Sequence, residues 1–242
     1  MATVLGRKFI SAGHQIVQVL GRNAEAASAL AYEWDTESAT YMTVLNKNAD
    51  VYLIAVSDNA IASIVDNLRL PGKVVAHTAA SVPKEVLQRV SDHYGVFYPL
   101  QSLRKNMIKL PDIPVYFDGN DEVARKKLEA LAGSMSYHLP VPASDDQRLK
   151  LHVAAVLVSN FVNHLYVLAE DYCKKEGLGF KQLVPLIEET ALRIKDIPPR
   201  QAQTGPAIRF DKETLHKHLE LLNDHPQLKN IYLLLTESIQ QV

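Results

Sequence analysis

The sequence predicts an α/β fold: a parallel sheet that lacks its first strand, followed by an all-α C-terminal domain. Three observations carry that prediction. Over about the first 140 residues, short apolar runs alternate with helical patterns, the grammar of parallel α/β structure. Past the proline-bracketed stretch Pro140-Val141-Pro142-Ala143-Ser144 the strand signals stop, and only helical patterns continue. The sequence also opens on a helix-like run, residues 2–12, followed by a strand, so it enters a β-α-β unit halfway through.

Taken in order, residues 2–12 read as a helix closed by Gly13, and residues 15–20 as a strand ending in Gly21-Arg22-Asn23. A helix follows at 24–33. The run Val51-Tyr52-Leu53-Ile54-Ala55-Val56 is apolar throughout, as expected of a central strand covered on both faces. Further strands are expected at 74–78, 96–98, 115–117 and 136–139, with helices at 59–68, 83–92 and 122–132. Pro71-Gly72 makes a turn, and Asp118-Gly119-Asn120-Asp121 leads into a helix N-cap. Residues 149–176 read as one long helix ended by Gly177. Helical patterns continue at 180–195, 212–222 and 227–240, around a Pro/Gly-rich connection at 197–206. The expected domains are 1–144, N-terminally incomplete, and 145–242.

Composition removes several classes of partner. Among 242 residues, 26 are basic and 27 acidic, a net charge of -1, which gives no electrostatic reason to expect nucleic acid or an anionic membrane. The single cysteine, Cys173, rules out an intramolecular disulfide and suits a reducing compartment. Apolar runs such as 51–56 are far too short to span a bilayer, and no signal segment is visible. A cytoplasmic protein is the expectation. The nine histidines show no ligand spacing with carboxylates or with Cys173, so no metal site is expected.

In a doubly wound sheet, ligands sit at the carboxyl ends of the strands, and three such ends carry suggestive residues. At Gly21-Arg22-Asn23 a carboxylate would bind a ribose 2′-hydroxyl, whereas arginine accommodates a 2′-phosphate, so NADP(H) is favoured over NAD(H). The structural alternative has Asn23 capping the next helix and Arg22 solvated. At Ala55-Val56-Ser57-Asp58 the small residues let a ring or sugar approach the backbone, and Asp58 could equally cap a helix. At His77-Thr78-Ala79-Ala80-Ser81, the histidine could bond a substrate or be a satisfied core residue; on its own the second reading is favoured. In the long helix, His152, Ser159 and Asn163 recur at spacings of seven and four and so share a face, with Asn160 beside them. Apolar residues fill much of the remainder, so the helix is expected to be buried, and buried polar groups need partners. A bound substrate and a nicotinamide amide are candidates for those partners.

Several stretches together resemble a known family across nearly the whole length. They are 49–58, Val75-Ala76-His77-Thr78-Ala79-Ala80-Ser81-Val82-Pro83, Tyr98-Pro99-Leu100-Gln101, His152 to Val156 with Ser159-Asn160-Phe161, and Thr204-Gly205-Pro206. The chain resembles Rossmann-like NADP-dependent oxidoreductases with a C-terminal helical domain of unknown function. These are relatives of pyrroline-5-carboxylate reductase, prephenate dehydrogenase and the 6-phosphogluconate dehydrogenase superfamily. The resemblance implies a Rossmann-type NADP-binding domain and an all-helical domain that forms a homodimer, with the site in the cleft between the domains. It places Ala2 at the end of the phosphate loop, and Gly21, Arg22 and Asn23 at the 2′-phosphate. Val56, Ser57 and Asp58 would lie along the cofactor, His77, Thr78 and Ala79 near the nicotinamide, and His152 and Asn160 toward the substrate. The family's opening strand and glycine loop have no counterpart. That strand would be central, between 15–20 and 51–56, and its loss removes backbone amides that bind pyrophosphate. The expectation is therefore low stability and weak NADP binding, with Met1 an internal methionine of a longer protein.

The expected function is hydride transfer between NADP(H) and a small carbonyl, imine or hydroxy compound. An imidazole titrates near neutrality, so His152 would serve as acid/base, with Asn160 orienting the reacting group and Ser159 beside them. The alternative from another class is a non-catalytic dimeric protein that binds NADP or a metabolite. Within the enzymes, the alternative is a deazaflavin as redox carrier.

Overall fold

The computed structural model describes residues 1–241. Helix α1 (Ala2–Ser11) leads into β1 (Gln18–Leu20), α2 (Ala24–Glu33) and β2 (Glu37–Ala39), a strand too short and polar to be visible in the sequence. Then come β3 (Val51–Ile54), α3 (Asp58–Asn67), β4 (Val74–His77), β5 (His93–Pro99), β6 (Val115–Gly119), α4 (Glu122–Met135) and β7 (Val141–Pro142). Strands β1 and β2 pair in parallel as a sheet of their own. The other five form a second sheet in the order β3-β4-β5-β6-β7, parallel except for the antiparallel β5/β6 pair.

Two apolar layers cover this larger sheet. On one side Phe97, Val115 and Phe117 pack with Val4, Leu5 and Phe9 of α1 and Leu128 and Ala132 of α4. On the other, Val75 packs with Ile61 and Val65 of α3 and with Leu70, Leu87 and Val90. Gly95 in β5 is required by crowding: a Cβ there would lie 2.1 Å from the Asp118 carbonyl oxygen.

Three sequence expectations are corrected. First, Val51–Ile54 is not a central strand: β3 is an edge of its sheet, and three of its four residues are only half-buried. Between β1 and β3 lies a largely apolar cavity of about 690 Å³, lined by α1, by β1 and by residues 51–56. It lies where the sequence reading expects a central strand between 15–20 and 51–56. Second, 136–139 is not a strand. Tyr137 and Leu139 are exposed, so the segment has no apolar face to bury, and Tyr137 N–H and Ser136 Oγ bond Asp112 instead. Pairing passes to β7, with Val141 opposite Tyr116. Third, 83–92 holds only a 3₁₀ turn, Lys84–Leu87, because the backbone at Val90 and the hydroxyl of Ser91 are tied to Leu70 and Lys73.

The long helix forms with one irregularity. It comprises α5 (Asp145–Ala155), a π-helical stretch (Val156–Phe161) and α6 (Val162–Lys175), and its start is fixed by a capping box between Ser144 and Gln147. The expected burial is overturned: Val153, Leu157, Val158 and Phe161 are all exposed, Val158 at 74%. By length and composition this helix could cross a bilayer, a point that the apolar run at 51–56 did not reveal. Its first turns carry Asp145, Asp146, Arg148 and Lys150, charged residues that a bilayer core disfavours.

The chain divides into two compact units between Ser159 and Asn160, inside the π stretch. Within the second unit, α7 (Val184–Arg193), α8 (Pro199–Ala202), α9 (Lys212–Leu221) and α10 (Pro226–Gln240) follow α6. Gly177, at φ 69°, ends the long helix, and His225 Nε2–H donates to Glu176 Oε1 at 2.8 Å while its ring packs at a tilt against Tyr172.

Candidate active site

Strands β3, β4 and β5 are mutually parallel, so their carboxyl ends open on one edge of the sheet. Ile54 pairs with His77 and His77 with Val96, which brings the segments after Ile54, after His77 and at Tyr98 to a common edge. Ser57 is the N-cap of α3 and Asp58 its first residue; the Ser81 hydroxyl donates to Asp58 Oδ2 at 2.5 Å and ties two strand ends together. Val56, Ser57 and Asp58 are exposed along this edge.

His77 is completely buried, and both of its nitrogens are in use. Ala79 N–H donates to Nδ1 at 3.2 Å, and Nε2–H donates to the Pro83 carbonyl at 3.4 Å. Burial lowers its pKa to about 4, with the nearby Arg148 charge acting in the same direction. A neutral ring with both nitrogens committed fixes the turn after β4. Thr78 and Ala79 are buried too, and Thr78 N–H is spent on the Ile54 carbonyl. The His77 side chain is therefore structural, and what this segment offers a ligand is the close approach of small residues.

Arg148, a residue that sequence reasoning passed over, holds the same turn from α5. Its guanidinium is 1% exposed and donates from Nε to the Ala80 carbonyl at 3.1 Å and from Nη2 to the Val82 carbonyl at 2.7 Å. Nη2 also pairs with Asp145 at 2.7 Å, while Nη1 is buried without a hydrogen-bond partner among the described residues. The signal was the capping box: once the helix start is set at Ser144, Asp145 and Arg148 become an i,i+3 pair.

One turn further on, His152 Nδ1 lies 3.1 Å from the hydroxyl of Tyr98, with the rings edge-on. Tyr98 ends β5 and is 7% exposed, while His152 is exposed. Burial raises the Tyr98 pKa above that of an ordinary phenol, and the nearby Arg148 opposes this. Tyr98 stood within the family resemblance but carried no assigned role.

The stripe His152, Ser159, Asn163 does not keep its register. A π turn closes i→i+5 bonds and so holds one residue more than an α turn. Ser159 and Asn160 both lie within this π stretch.

Past the carboxyl end of β1, Asn23 caps α2 by accepting from Ala26 N–H at 2.8 Å, the structural alternative raised by the sequence. Gly21 lets α2 pack closely: a Cβ there would meet Ala27 Cβ at 3.2 Å. Arg22 is exposed and, among the described residues, has no hydrogen-bond partner. At the start of α1, Ala2 is exposed, and the Ala2 and Thr3 N–H groups have no intrahelical acceptor, as at any helix start. These groups suit the phosphates of a dinucleotide: a free planar cation at one point and helix N–H donors at another. Among the described residues no group of histidine, cysteine and carboxylate side chains could hold a metal ion.

Comparison with known proteins places this geometry in a family. Residues 1–81 match the family described as NADP oxidoreductase, coenzyme F420-dependent, and residues 113–239 match the domain of unknown function DUF2520. A Bacteroides fragilis protein assigned as an NADP oxidoreductase is 36% identical, with a TM-score of 0.89 over 100% of this chain and 94% of its own. A Thermotoga maritima protein is 21% identical with a TM-score of 0.79, covering 100% and 96%. A reductive aminase from Aspergillus terreus, solved with NADPH and ethyl-5-oxohexanoate, shares the fold at 17% identity, TM-score 0.70, covering 100% and 89%. No curated protein matches.

Proposed function

We propose that this chain, which belongs to the family of NADP oxidoreductases carrying the C-terminal domain DUF2520, reduces or oxidises a small carbonyl, imine or hydroxy compound with NADP(H). The observation that carries this reading is Arg22: a free, exposed guanidinium just past the carboxyl end of a parallel strand, immediately before a capped helix. It is the arrangement that selects a 2′-phosphate. Arg22 and Gly21 would hold that phosphate, the first N–H groups of α1 from Ala2 onward the pyrophosphate, and the edge at Val56, Ser57 and Asp58 the nicotinamide half. Bound NADPH supplies the hydride. His152 moves the proton, and Asn160 orients the substrate, which the proposal seats in a cleft between the domains.

Two further parts belong to the same reading. The exposed apolar residues of the long helix, Val153, Leu157, Val158 and Phe161, fit coverage by a second copy of the chain, a homodimer. Cys173 is free and buried, which suits the cytoplasm.

Calorimetry with NADPH and NADH tests the proposal. NADPH is expected to bind more tightly, and Arg22→Ala to weaken NADPH alone by roughly tenfold, about 1.4 kcal/mol. Equal affinity for the two cofactors in both proteins would remove Arg22 from the site, and binding of neither would leave the non-catalytic reading in its place.

A further inference from the structure

The polar groups on the carboxyl edge of the larger sheet differ in whether the fold uses them. His77, Asp58 and the Nε and Nη2 donors of Arg148 are all committed to holding strand ends and the turn after β4. The Tyr98 hydroxyl is different. Its one partner is His152, and neither side chain hydrogen-bonds to anything else among the described residues. No capping, turn or strand-pairing task explains the contact. It joins a buried phenol at the end of β5 to an imidazole that reaches solvent, two groups that both accept and donate protons.

Reduction of a C=O or C=N group needs a proton at the heteroatom as the hydride reaches carbon. A group poised for that transfer must sit at the cofactor edge, keep its proton while waiting, and be recharged without opening the site. Tyr98 meets the first condition by its place beside the segments after β3 and β4. Its burial meets the second, since a desolvated phenol resists ionisation. His152 meets the third.

We propose that Tyr98 and His152 form a two-residue proton path, in which Tyr98 hands its hydroxyl proton to the heteroatom being reduced and His152 Nδ1 restores it from solvent. The step rests on the NADP(H) reading above. The hydride of a dihydronicotinamide brings both electrons to carbon, and the π pair of C=X becomes a lone pair on X. That lone pair takes the Tyr98 proton as the O–H bond breaks. The phenolate takes Nδ1–H from the imidazolium, and the neutral imidazole is reprotonated by water. The charged and titratable groups facing Tyr98 are Arg148 and His152 from α5, Asp58 from α3 and Tyr116 from β6. Arg148 steadies the transient phenolate, while Asp58 and Tyr116 act against it.

Protein labelled with ¹³C at tyrosine Cζ and titrated over about pH 5–9 tests the pair. The Tyr98 resonance, assigned by its loss in Tyr98→Phe, is expected to move in step with the His152 ring protons, and that step to vanish in His152→Asn. NADPH-dependent turnover of ethyl 5-oxohexanoate is expected to fall roughly 10²-fold or more in Tyr98→Phe. NADPH affinity, read by calorimetry, should stay within about twofold. A Tyr98 resonance indifferent to His152 overturns the path whatever the turnover, and wild-type turnover in Tyr98→Phe overturns the donor role. Coupled titration without NADPH binding overturns the reductase reading and the donor role with it, and is distinguishable from failure of the pair itself.

Discussion

Replacing Arg148 with methionine isolates the contribution of the clamp on the turn after β4. Methionine keeps much of the apolar stem and removes the three hydrogen bonds, to Ala80, Val82 and Asp145. The Ala80 and Val82 carbonyls then lose donors in a site that water does not reach freely, at about 1–3 kcal/mol each. Asp145 is one-third exposed and can turn to solvent, so its loss is small. Against this, the variant no longer buries a charged group whose Nη1 lacks a partner, which returns part of the cost. The net expectation is a loss of about 2–4 kcal/mol, or roughly 5–15 °C in Tm for a chain of this size. Urea unfolding followed by Trp34 fluorescence reads it out, because Trp34 is the only tryptophan and lies in the first unit. Lys150→Ala, which breaks an exposed i,i+4 pair with Asp146, is the control and should change stability by less than about 1 kcal/mol. If Arg148→Met unfolded at the wild-type midpoint, the clamp would contribute nothing and the buried guanidinium would need another explanation.

Two other predictions concern pH and assembly. The unfolded His77 ring takes up a proton near pH 6.5, whereas the folded ring resists down to about pH 4, so the unfolded state binds more protons in that window. Stability should fall by about 3 kcal/mol as pH drops from about 6.5 to 4, and His77→Gln should flatten the slope; superimposable curves for the two proteins would refute this. Leu157→Glu places a charge amid the exposed apolar residues of the long helix and should convert a dimer to monomer in sedimentation at concentrations of about 10 μM. A wild-type protein that sediments as a monomer would refute the dimer.

Much of the fold was legible because parallel strands and amphipathic helices repeat their signals. Helix 24–33 is predicted to the residue, and Asp121 caps α4 as its turn chemistry requires. What escaped was set by tertiary context. Whether Val51–Ile54 is central or an edge depends on what lies between β1 and β3, and an apolar run cannot report that. The burial of the long helix failed for a related reason: hydropathy shows that an apolar face needs cover and does not say whether this chain or a second copy supplies it. The π stretch escaped because spacing arguments assume an α turn throughout the helix. In the candidate site, residue type located the edge but not the roles. His77 and His152 look alike in sequence; burial and two committed nitrogens make the first a structural lock, and exposure with a single phenol partner leaves the second available.

That contrast extends to the rest of the edge. A fold satisfies its buried polar groups first, because each one left unpaired costs free energy. Along this sheet the work is shared among Asp58 with Ser81, His77 with Ala79 and Pro83, and Arg148 with Ala80 and Val82. Together these contacts fix the loops after β3 and β4 in place without any ligand. Outside this work stand two groups: Arg22, past β1 of the smaller sheet, which has no hydrogen-bond partner among the described residues, and the Tyr98–His152 pair, whose side chains there bond only each other. One is a cation suited to phosphate and the other a proton path suited to the carbon-heteroatom bond. None of the contacts that hold the edge uses them, so loss of either should alter affinity or turnover and leave the folded edge intact. Arg148 is the opposite case, and its removal should lower stability before it touches cofactor preference.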